Sequence, residues 1–534
     1  MQEEYYDVII IGSGMGGLGS GLYLQKQNPD LKTLILEQHS IPGGSVNGFK
    51  RKGYYFDSGA EGLVYCGEGQ IFRERLEELG VFHDYISIDP VEVMKYEDRT
   101  VVMHNKLEKF IEELIKNYPE DEKEIREYFR IIKKMSDEYF SLSLKNFSPS
   151  FRTLLKIVLT RPTLRKYGLK TFQQFLDKSI TNPDLRKILV VYCLWLGVLP
   201  DKISAPSAAI VFNSPFIDGN FYPKGGMLAF AKNMAKVFKS NGGVIKYKSR
   251  VEKILIHKKK AVGVRLDDGT IFYGKWIISN ADLRKTVFDF VGKDFFKKSY
   301  QKFISMIKQS VTGFAVFLGL DIQLDDHHSH IAYNVDAEKF LVRLREENFN
   351  PEEVLIRIPQ NIDPSLRNDK GSSVILLSMA PYNYKEKWGN DKEGKRNSQY
   401  HEIKEAFADK LIKLAEKVIP NLTQRIKVKE IATPLTYERY IQTTEGSWYG
   451  PQTDQKLPSF KSPLKRLFFA GGNVDGAGVP PSFFSGIKTA KYITRKIKKK
   501  RYMKAFYYSV IDGQRVAITA PFPEDKAITG VISQ

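Results

Sequence analysis

The sequence predicts an α/β fold in which a Rossmann-like nucleotide-binding domain, built from separated stretches, is interleaved with a mixed α+β domain. Three observations predict it. Residues 7–17, Asp-Val-Ile-Ile-Ile-Gly-Ser-Gly-Met-Gly-Gly, carry a buried strand straight into Gly12-x-Gly14-x-x-Gly17. A second apolar strand, Leu31–Leu36, ends on Glu37, twenty residues past Gly17. Far downstream, the apolar strand Leu467–Ala470 runs into a further glycine pair, Gly471-Gly472.

Each element has a physical reason. Gly12 allows the tight turn, Gly14 lets the backbone approach a pyrophosphate, and Gly17 lets the next helix sit close to the sheet. That helix, roughly residues 15–27, places its positive N-terminus at the phosphates. A carboxylate at Glu37 accepts both ribose hydroxyl bonds and repels a 2′-phosphate.

The first stretch, residues 1–70, also holds Pro42-Gly43-Gly44 and the strand Tyr54–Asp57 with Ser58-Gly59. The second, 215–295, opens with Phe221-Tyr222-Pro223-Lys224-Gly225-Gly226. A helix follows with Met227, Ala231, Met234, Ala235 and Phe238 on one face. Short strands come next at Arg250–Ile256, Ala261–Leu266 and Thr270–Tyr273, with Asp267-Asp268-Gly269 as a hairpin signal. Trp276–Ala281 then returns to the sheet. The third stretch is 430–500, its helix starting near Ser482. The inserts 71–214 and 296–429 form the second domain. The first insert reads as mostly helical; the second mixes strands such as Thr312–Leu320 and Ser373–Ala380 with a helix at about 399–418. The tail 501–534 carries no assignment.

Composition sets bounds. At 534 residues the chain has room for three or four domains of ~150 residues, or for one large two-domain enzyme. Cys66 and Cys193 are the only cysteines, which excludes a disulfide framework and a thiolate metal cluster. The eight histidines show no ligand spacing, and His327, His328 and His330 read as a solvated loop, so no metal site is expected. The first strand begins at about residue 5, leaving no room for a signal peptide, and no stretch reaches 18 uncharged apolar residues. The expected location is cytoplasmic.

The net charge of +20 calls for an explanation. Between Tyr139 and Leu176 there is no acidic residue, while Lys145, Arg152, Lys156, Arg161, Arg165, Lys166 and Lys170 alternate with an apolar block at Phe151–Leu159. From Lys488 to Lys504 there are nine basic residues and no acid. A solvated lysine-rich surface accounts for part of this. A basic segment with an apolar block fits a lipid headgroup layer better than a nucleic-acid groove. Peripheral membrane contact through 145–170 is therefore expected, and nucleic acid is not. The sequence says nothing about oligomeric state.

The motifs together resemble the phytoene desaturase, carotenoid isomerase and retinol saturase family of FAD-dependent oxidoreductases, over about residues 5–497. They are Gly12–Gly17 with Glu37, Pro42-Gly43-Gly44, Gly53–Gly59, Tyr222–Gly226, Val262–Gly269, Ser279-Asn280-Ala281, Thr433-Pro434, Gly446–Gly450, and Phe469–Gly472 through Pro480 and Ser485-Gly486. The resemblance implies an FAD-binding domain of the glutathione-reductase and amine-oxidase type. It also implies an apolar small-molecule substrate, a carotenoid or retinoid that is desaturated, saturated or isomerised.

In such a site Gly12, Ser13, Gly14 and Gly17 would hold the pyrophosphate and Glu37 the ribose. Gly43 and Gly44 would let a loop pass the ribityl chain, and a backbone pair at Val251 would hold the adenine edge. Gly471, Gly472, Asn473 and Asp475 would close the far end, with the last helix pointing its N-terminus at the flavin. Two positions depart from the family pattern: Ser45 stands where many members have arginine, and Glu61 where isomerases and saturases often have histidine. Glu61 is the candidate catalytic residue, able to steer or deprotonate a substrate carbon. Tyr192, Trp195, Leu196, Phe212, Phe216 and Phe221 are candidates for a substrate tunnel or for plain core. Competing readings are an amine oxidase-like enzyme, a nucleic-acid-associated flavoprotein and a non-catalytic flavin scaffold.

Overall fold

The computed structural model describes residues 4–140 and 159–506, except 192, 195–196, 215, 217–218, 347–348, 391–395 and 453–454, together with 510–511 and 514–515. Two seven-stranded sheets organise these residues.

The first sheet centres on Glu4–Ile11, which pairs in parallel with Thr33–Leu36 on one side and Ile271–Ser279 on the other. Val244–Lys246 extends it beyond Thr33–Leu36, and Leu467–Phe469 lies parallel to the end of Ile271–Ser279. A strand covered on both faces is apolar at every position, and Val8, Ile9, Ile10 and Ile11 are all buried. Val8 and Ile10 face the helices Met15–Gln27, Met227–Ser240 and Val479–Phe506, packing with Leu18, Met234 and Ile487. Ile9 and Ile11 face the opposite side, with Leu36, Val251 and Ile254. The hairpin at Asp267–Gly269 joins Lys260–Leu266 to Ile271–Ser279. The segments Thr270–Tyr273 and Trp276–Ser279, expected as separate strands, form one continuous strand.

The second sheet runs in the order Ile426–Ala432, Gly313–Leu320, Ser373–Met379, Val354–Arg357, His330–Tyr333, Glu92–Lys95, Thr100–Met103. All its pairings are antiparallel except that of His330–Tyr333 with Glu92–Lys95. The helices of 107–213 and Ser398–Glu416 share one core with this sheet. Both inserts thus build one apolar body, in which Phe314 lies 4.5 Å from Phe407 and Phe110 stacks on Phe216 at 5.0 Å.

Several expected boundaries move. Phe72, Leu76, Leu79, Val81 and Ile88 pack with the nucleotide-side core, so that core runs past residue 71. The boundary at 430 falls inside Ile426–Ala432, a strand of the second sheet. Two strands of that sheet come from the insert read as mostly helical, because Val93, Met94, Val101 and Met103 bury an apolar face that short charged flanks concealed. All of 141–158, and with it residues 145–158 of the expected membrane segment, lies outside the described residues, as do Tyr192, Trp195 and Leu196. Phe212 and Phe216 are core, and Phe221 is half-buried on the nucleotide side.

Candidate active site

The first sheet delivers Ser13 and Glu37 to the same point because adjacent parallel strands end side by side. The Ser13 N–H and hydroxyl both donate to Glu37 Oε2, at 2.8 and 2.6 Å, and the His39 N–H donates to Oε1 at 2.9 Å. The backbone of Glu37 is gripped as well, donating to Lys246 O and accepting from Ser249 N–H. The carboxylate is buried and aimed into the turn that starts the first helix.

Around that turn the glycines are spaced by one side chain, Asn280. A Cβ on Gly14, Gly16 or Gly471 would come within 2.4–2.8 Å of the Asn280 amide. Asn280 is fixed by its N–H, which donates to Ile11 O at 2.9 Å, while its amide makes no hydrogen bond among the described residues. Gly12 and Gly471 have φ of +87° and +91°, a region that only glycine enters without strain. A Cβ on Gly17 would stand 2.0 Å from Gly12 O, so the first helix lies directly on the turn. The Gly43 N–H donates to Ser13 O, and Gly44 passes over Gly14. The helix N-cap is Gly14, which brings no capping side chain, and the first turn holds no acid. An uncapped helix end, an unbonded amide and an adjacent buried carboxylate fit the pyrophosphate and ribose of a dinucleotide.

A second cluster joins two motifs that the sequence shows far apart. Asp57, at the end of Tyr54–Asp57, accepts from the phenols of Tyr55 and Tyr222 and from the Met227 N–H at the start of Met227–Ser240. The glycine at 226 is required because a Cβ there would stand 2.3 Å from the Tyr55 hydroxyl. Burial pushes the Asp57 carboxyl up to about 6 against the pull of these three donors.

Beyond Gly44 the chain reaches the second sheet. Ser45 O accepts from the Ala60 N–H at 2.9 Å, and Glu61 follows. Arg357 Nε donates to Glu61 Oε2 at 2.8 Å, while its two terminal nitrogens clamp Glu92 at 2.9 and 3.0 Å. Arg357 and Glu92 are buried, whereas the Glu61 side chain keeps 29% of its exposure. Burial pulls the Arg357 guanidinium down, and the charges of Glu61 and Glu92 more than offset it, so its hold on the proton is strengthened. Burial, then the charge of Glu61, pushes up the phenols of Tyr437 and Tyr449. Tyr449 O in turn lies 3.6 Å from the place a Cβ on Gly472 would take. Glu61 therefore stands where the glycine cradle, the Gly446–Gly450 segment and the second sheet meet.

The structure brings Gly12, Ser13, Gly14, Gly17, Glu37, Gly43, Gly44 and Gly471 to one cradle, with Gly472 at its edge. Val251 is buried, its side chain packed with Ile11 and Leu36. The Asn473 amide donates to Ala281 O at 3.3 Å, and Asp475 pairs with Lys488 at 2.7 Å, turning its carboxylate to the last helix. That helix begins at Val479, and Ser485 Oγ accepts from Gly471 N–H. Sequence reasoning treated Asn280 and Ser485 only as motif marks and missed Arg357; an asparagine ending an apolar strand was the signal for Asn280. The reading of His327, His328 and His330 as a solvated loop fails for His330. It is a buried strand residue opposite Arg357, and burial pushes its ring well below the usual histidine range.

Comparison with known proteins gives a consistent set. Residues 15–494 match the family described as flavin containing amine oxidoreductase. The all-trans-retinol 13,14-reductase of Danio rerio is 27% identical over 517 residues, covering 88% of this chain and 82% of that protein. The chloroplastic prolycopene isomerase of Arabidopsis thaliana is 28% identical over 526 residues, covering 94% and 85%. Among solved structures, an oxidoreductase from Methanosarcina mazei aligns with a TM-score of 0.63 at 17% identity, covering 91% of this chain and all of that one. A putrescine oxidase bound to putrescine aligns at 0.60 and 14%, covering 92% and 100%. At those identities the structures speak for the fold alone.

Proposed function

The chain belongs to the flavin containing amine oxidoreductase family, and on that premise we propose that it acts on an apolar isoprenoid polyene, making, removing or isomerising a carbon–carbon double bond. It is an FAD-dependent oxidoreductase. One observation carries the substrate class. The relatives named for a retinol and for a lycopene match over 88–94% of the chain, so the likeness includes the second domain as well as the cofactor cradle. The solved putrescine oxidase, at 14% identity, speaks for the fold alone.

In this reading Gly12, Ser13, Gly14, Gly17 and Asn280 border the FAD pyrophosphate, and Glu37 takes the ribose. Gly43, Gly44, Gly471 and Gly472 make room for the rest of the cofactor, Val251 offers its backbone to the adenine, and Asn473 and Asp475 brace the far loop. Bound FAD supplies two-electron hydride chemistry. The protein binds the cofactor, orients the substrate and excludes water through the apolar body of the second domain. Anaerobic mixing of the holoprotein with all-trans-retinol, a poly-cis carotenoid, phytoene and putrescine tests this. The expected result is a changed flavin spectrum or an isomerised product with a polyene and none with putrescine. Reaction with putrescine alone overturns the substrate class.

The same reading includes docking on an anionic membrane surface. Among the described residues no helix is long and apolar enough to cross a membrane. Leu159 and Leu169 are exposed, and Arg161, Lys166 and Lys170 lie beside them in sequence. Each basic residue near such a surface contributes ~1 kcal/mol. Flotation with anionic but not neutral liposomes, weakened in Leu159→Asp/Leu169→Asp, is the expected outcome. Equal flotation with both lipids, or with neither, overturns it.

A further inference from the structure

We propose that Glu61 carries the proton half of the reaction, and that Arg357, anchored by Glu92, is the positioning residue that fixes the Glu61 carboxylate in place. This rests on the reading that the chemistry makes or removes a carbon–carbon double bond.

Making such a bond takes a hydride from one carbon and a proton from its neighbour, and the electron pair of the second C–H bond becomes the π bond. Saturation is the reverse. The hydride half is the chemistry FAD supplies when bound. The proton half needs an oxygen or nitrogen of the protein at the junction of cradle and second domain, in a state that can both take and return a proton.

The titratable groups facing that junction are Asp57, Glu61, Glu92, His330, Tyr437 and Tyr449, with Arg357 as the fixed cation. Asp57 is buried, and both its oxygens are occupied by Tyr55, Tyr222 and the Met227 N–H. Glu92 is buried, and both its oxygens are held by Arg357. His330 is buried and, pushed far down by burial and then by Arg357, holds no charge to give. Burial and the charge of Glu61 keep the phenols of Tyr437 and Tyr449 protonated. Glu61 differs from all of these. Arg357 takes its Oε2, no described hydrogen bond reaches Oε1, and the side chain is partly exposed.

Two carboxylates on one guanidinium also explain the arrangement. Glu92 grips Arg357 in the bidentate mode that fixes a guanidinium in its plane, leaving Nε aimed at Glu61. The Ile356 carbonyl adds a third restraint on Arg357 at 3.1 Å. Arg357 thus holds one oxygen of the Glu61 carboxylate and leaves the other for the proton that carbon gives up or takes back.

The test uses holoprotein with Glu61→Gln, Arg357→Met, Arg357→Lys and Glu92→Gln. Without substrate, the midpoint potential of the bound flavin is compared at one pH. It is expected to rise in Glu61→Gln, which takes a negative charge from beside the cradle, and to fall in Arg357→Met, which takes a positive one; Arg357→Lys, which keeps the cation, is expected to stay near the wild type. With a polyene that the wild type converts, Glu61→Gln should lower kcat by about 10²–10⁴-fold, with KM and flavin content little changed. Arg357→Lys and Glu92→Gln should lower kcat less. An unmoved potential in Glu61→Gln, or its kcat at the wild-type value, overturns the proposal. If no polyene is converted by the wild type yet the potentials move as described, the substrate reading fails and the Glu61–Arg357 assignment stands.

Discussion

A Cβ on Gly486 would stand 2.0 Å from the carbonyl oxygen of Gly16. The two residues lie far apart in sequence, yet they set the distance between the first helix and the last. Ser20 Oγ bridges the same contact, donating to Gly16 O at 2.7 Å and to Gly486 O at 3.1 Å. Gly19 completes it, since a Cβ there would meet Phe483 O at 2.7 Å. The helix that follows the cofactor loop is thus clamped by the helix Val479–Phe506.

Gly486→Ala therefore forces the two helices apart. Overpacking of this kind costs about 1–3 kcal/mol, and here the obstruction is backbone, which has no rotamer to yield. The expected outcome is a lower midpoint in thermal unfolding and weaker flavin retention. Unchanged values in both would show that the helices slide without cost.

Glu37→Arg should strip the protein of FAD, whereas Glu37→Gln should retain much of it. The reason lies in what Glu37 already holds: the Ser13 N–H and hydroxyl and the His39 N–H. Glutamine keeps one oxygen for these donors, and arginine offers none. Flavin released from equal amounts of folded protein, resolved from FMN by chromatography, gives the comparison. Normal FAD content in Glu37→Arg would remove Glu37 from the ribose site.

These two examples show what the sequence makes legible. The strand–glycine–helix–strand–acid order is local, and each member has its own residue signature, so the cradle around Gly12 and Glu37 can be read in one pass. The contact of Gly486 with Gly16 is also written in glycines, but only the fold tells which two meet. Arg357 gives no signal at all: it ends a four-residue strand, Val354–Arg357, and its partners Glu61 and Glu92 lie in other parts of the chain. The strands Glu92–Lys95 and Thr100–Met103 were hidden for a similar reason. They are short, and their apolar residues find partners in a sheet assembled mostly from the other insert.

Asp57 should leave a pH signature in stability. Its carboxyl lies at about 6 in the folded protein, raised by burial from an ordinary value of 3.8. The folded state then holds this proton more firmly than the unfolded chain does. Stability contributed by the protonated form is full below pH 4, declines as pH rises from about 4 to 6, and stays level above. Asp57→Asn should flatten that window, seen in denaturant midpoints measured across pH 4–7. A wild-type profile rising through the window would contradict the sign.

The two glycines after Leu467–Phe469 should behave differently, because the structure constrains them for different reasons. Gly471 has φ +91°, and a Cβ there would meet Asn280 Oδ1 at 2.6 Å. Gly471→Ala should therefore destabilise the protein whether or not a cofactor is bound, and its thermal midpoint should fall in the apoprotein too. Gly472 is under no such strain. A Cβ there would sit at 3.4 Å from Ser482 Oγ and 3.6 Å from Tyr449 O, ordinary contact distances. Alanine should be accepted at 472 with apoprotein stability unchanged. Leucine should not, because its longer side chain fills the space between Gly472, Tyr449 and the cradle that the isoalloxazine is proposed to take. Gly472→Leu is thus expected to fold but to carry little FAD, measured by visible absorbance against folded protein. Full flavin content with an unshifted reduction potential in Gly472→Leu would place the flavin ring elsewhere, and the Gly471-Gly472 turn would then serve the fold alone.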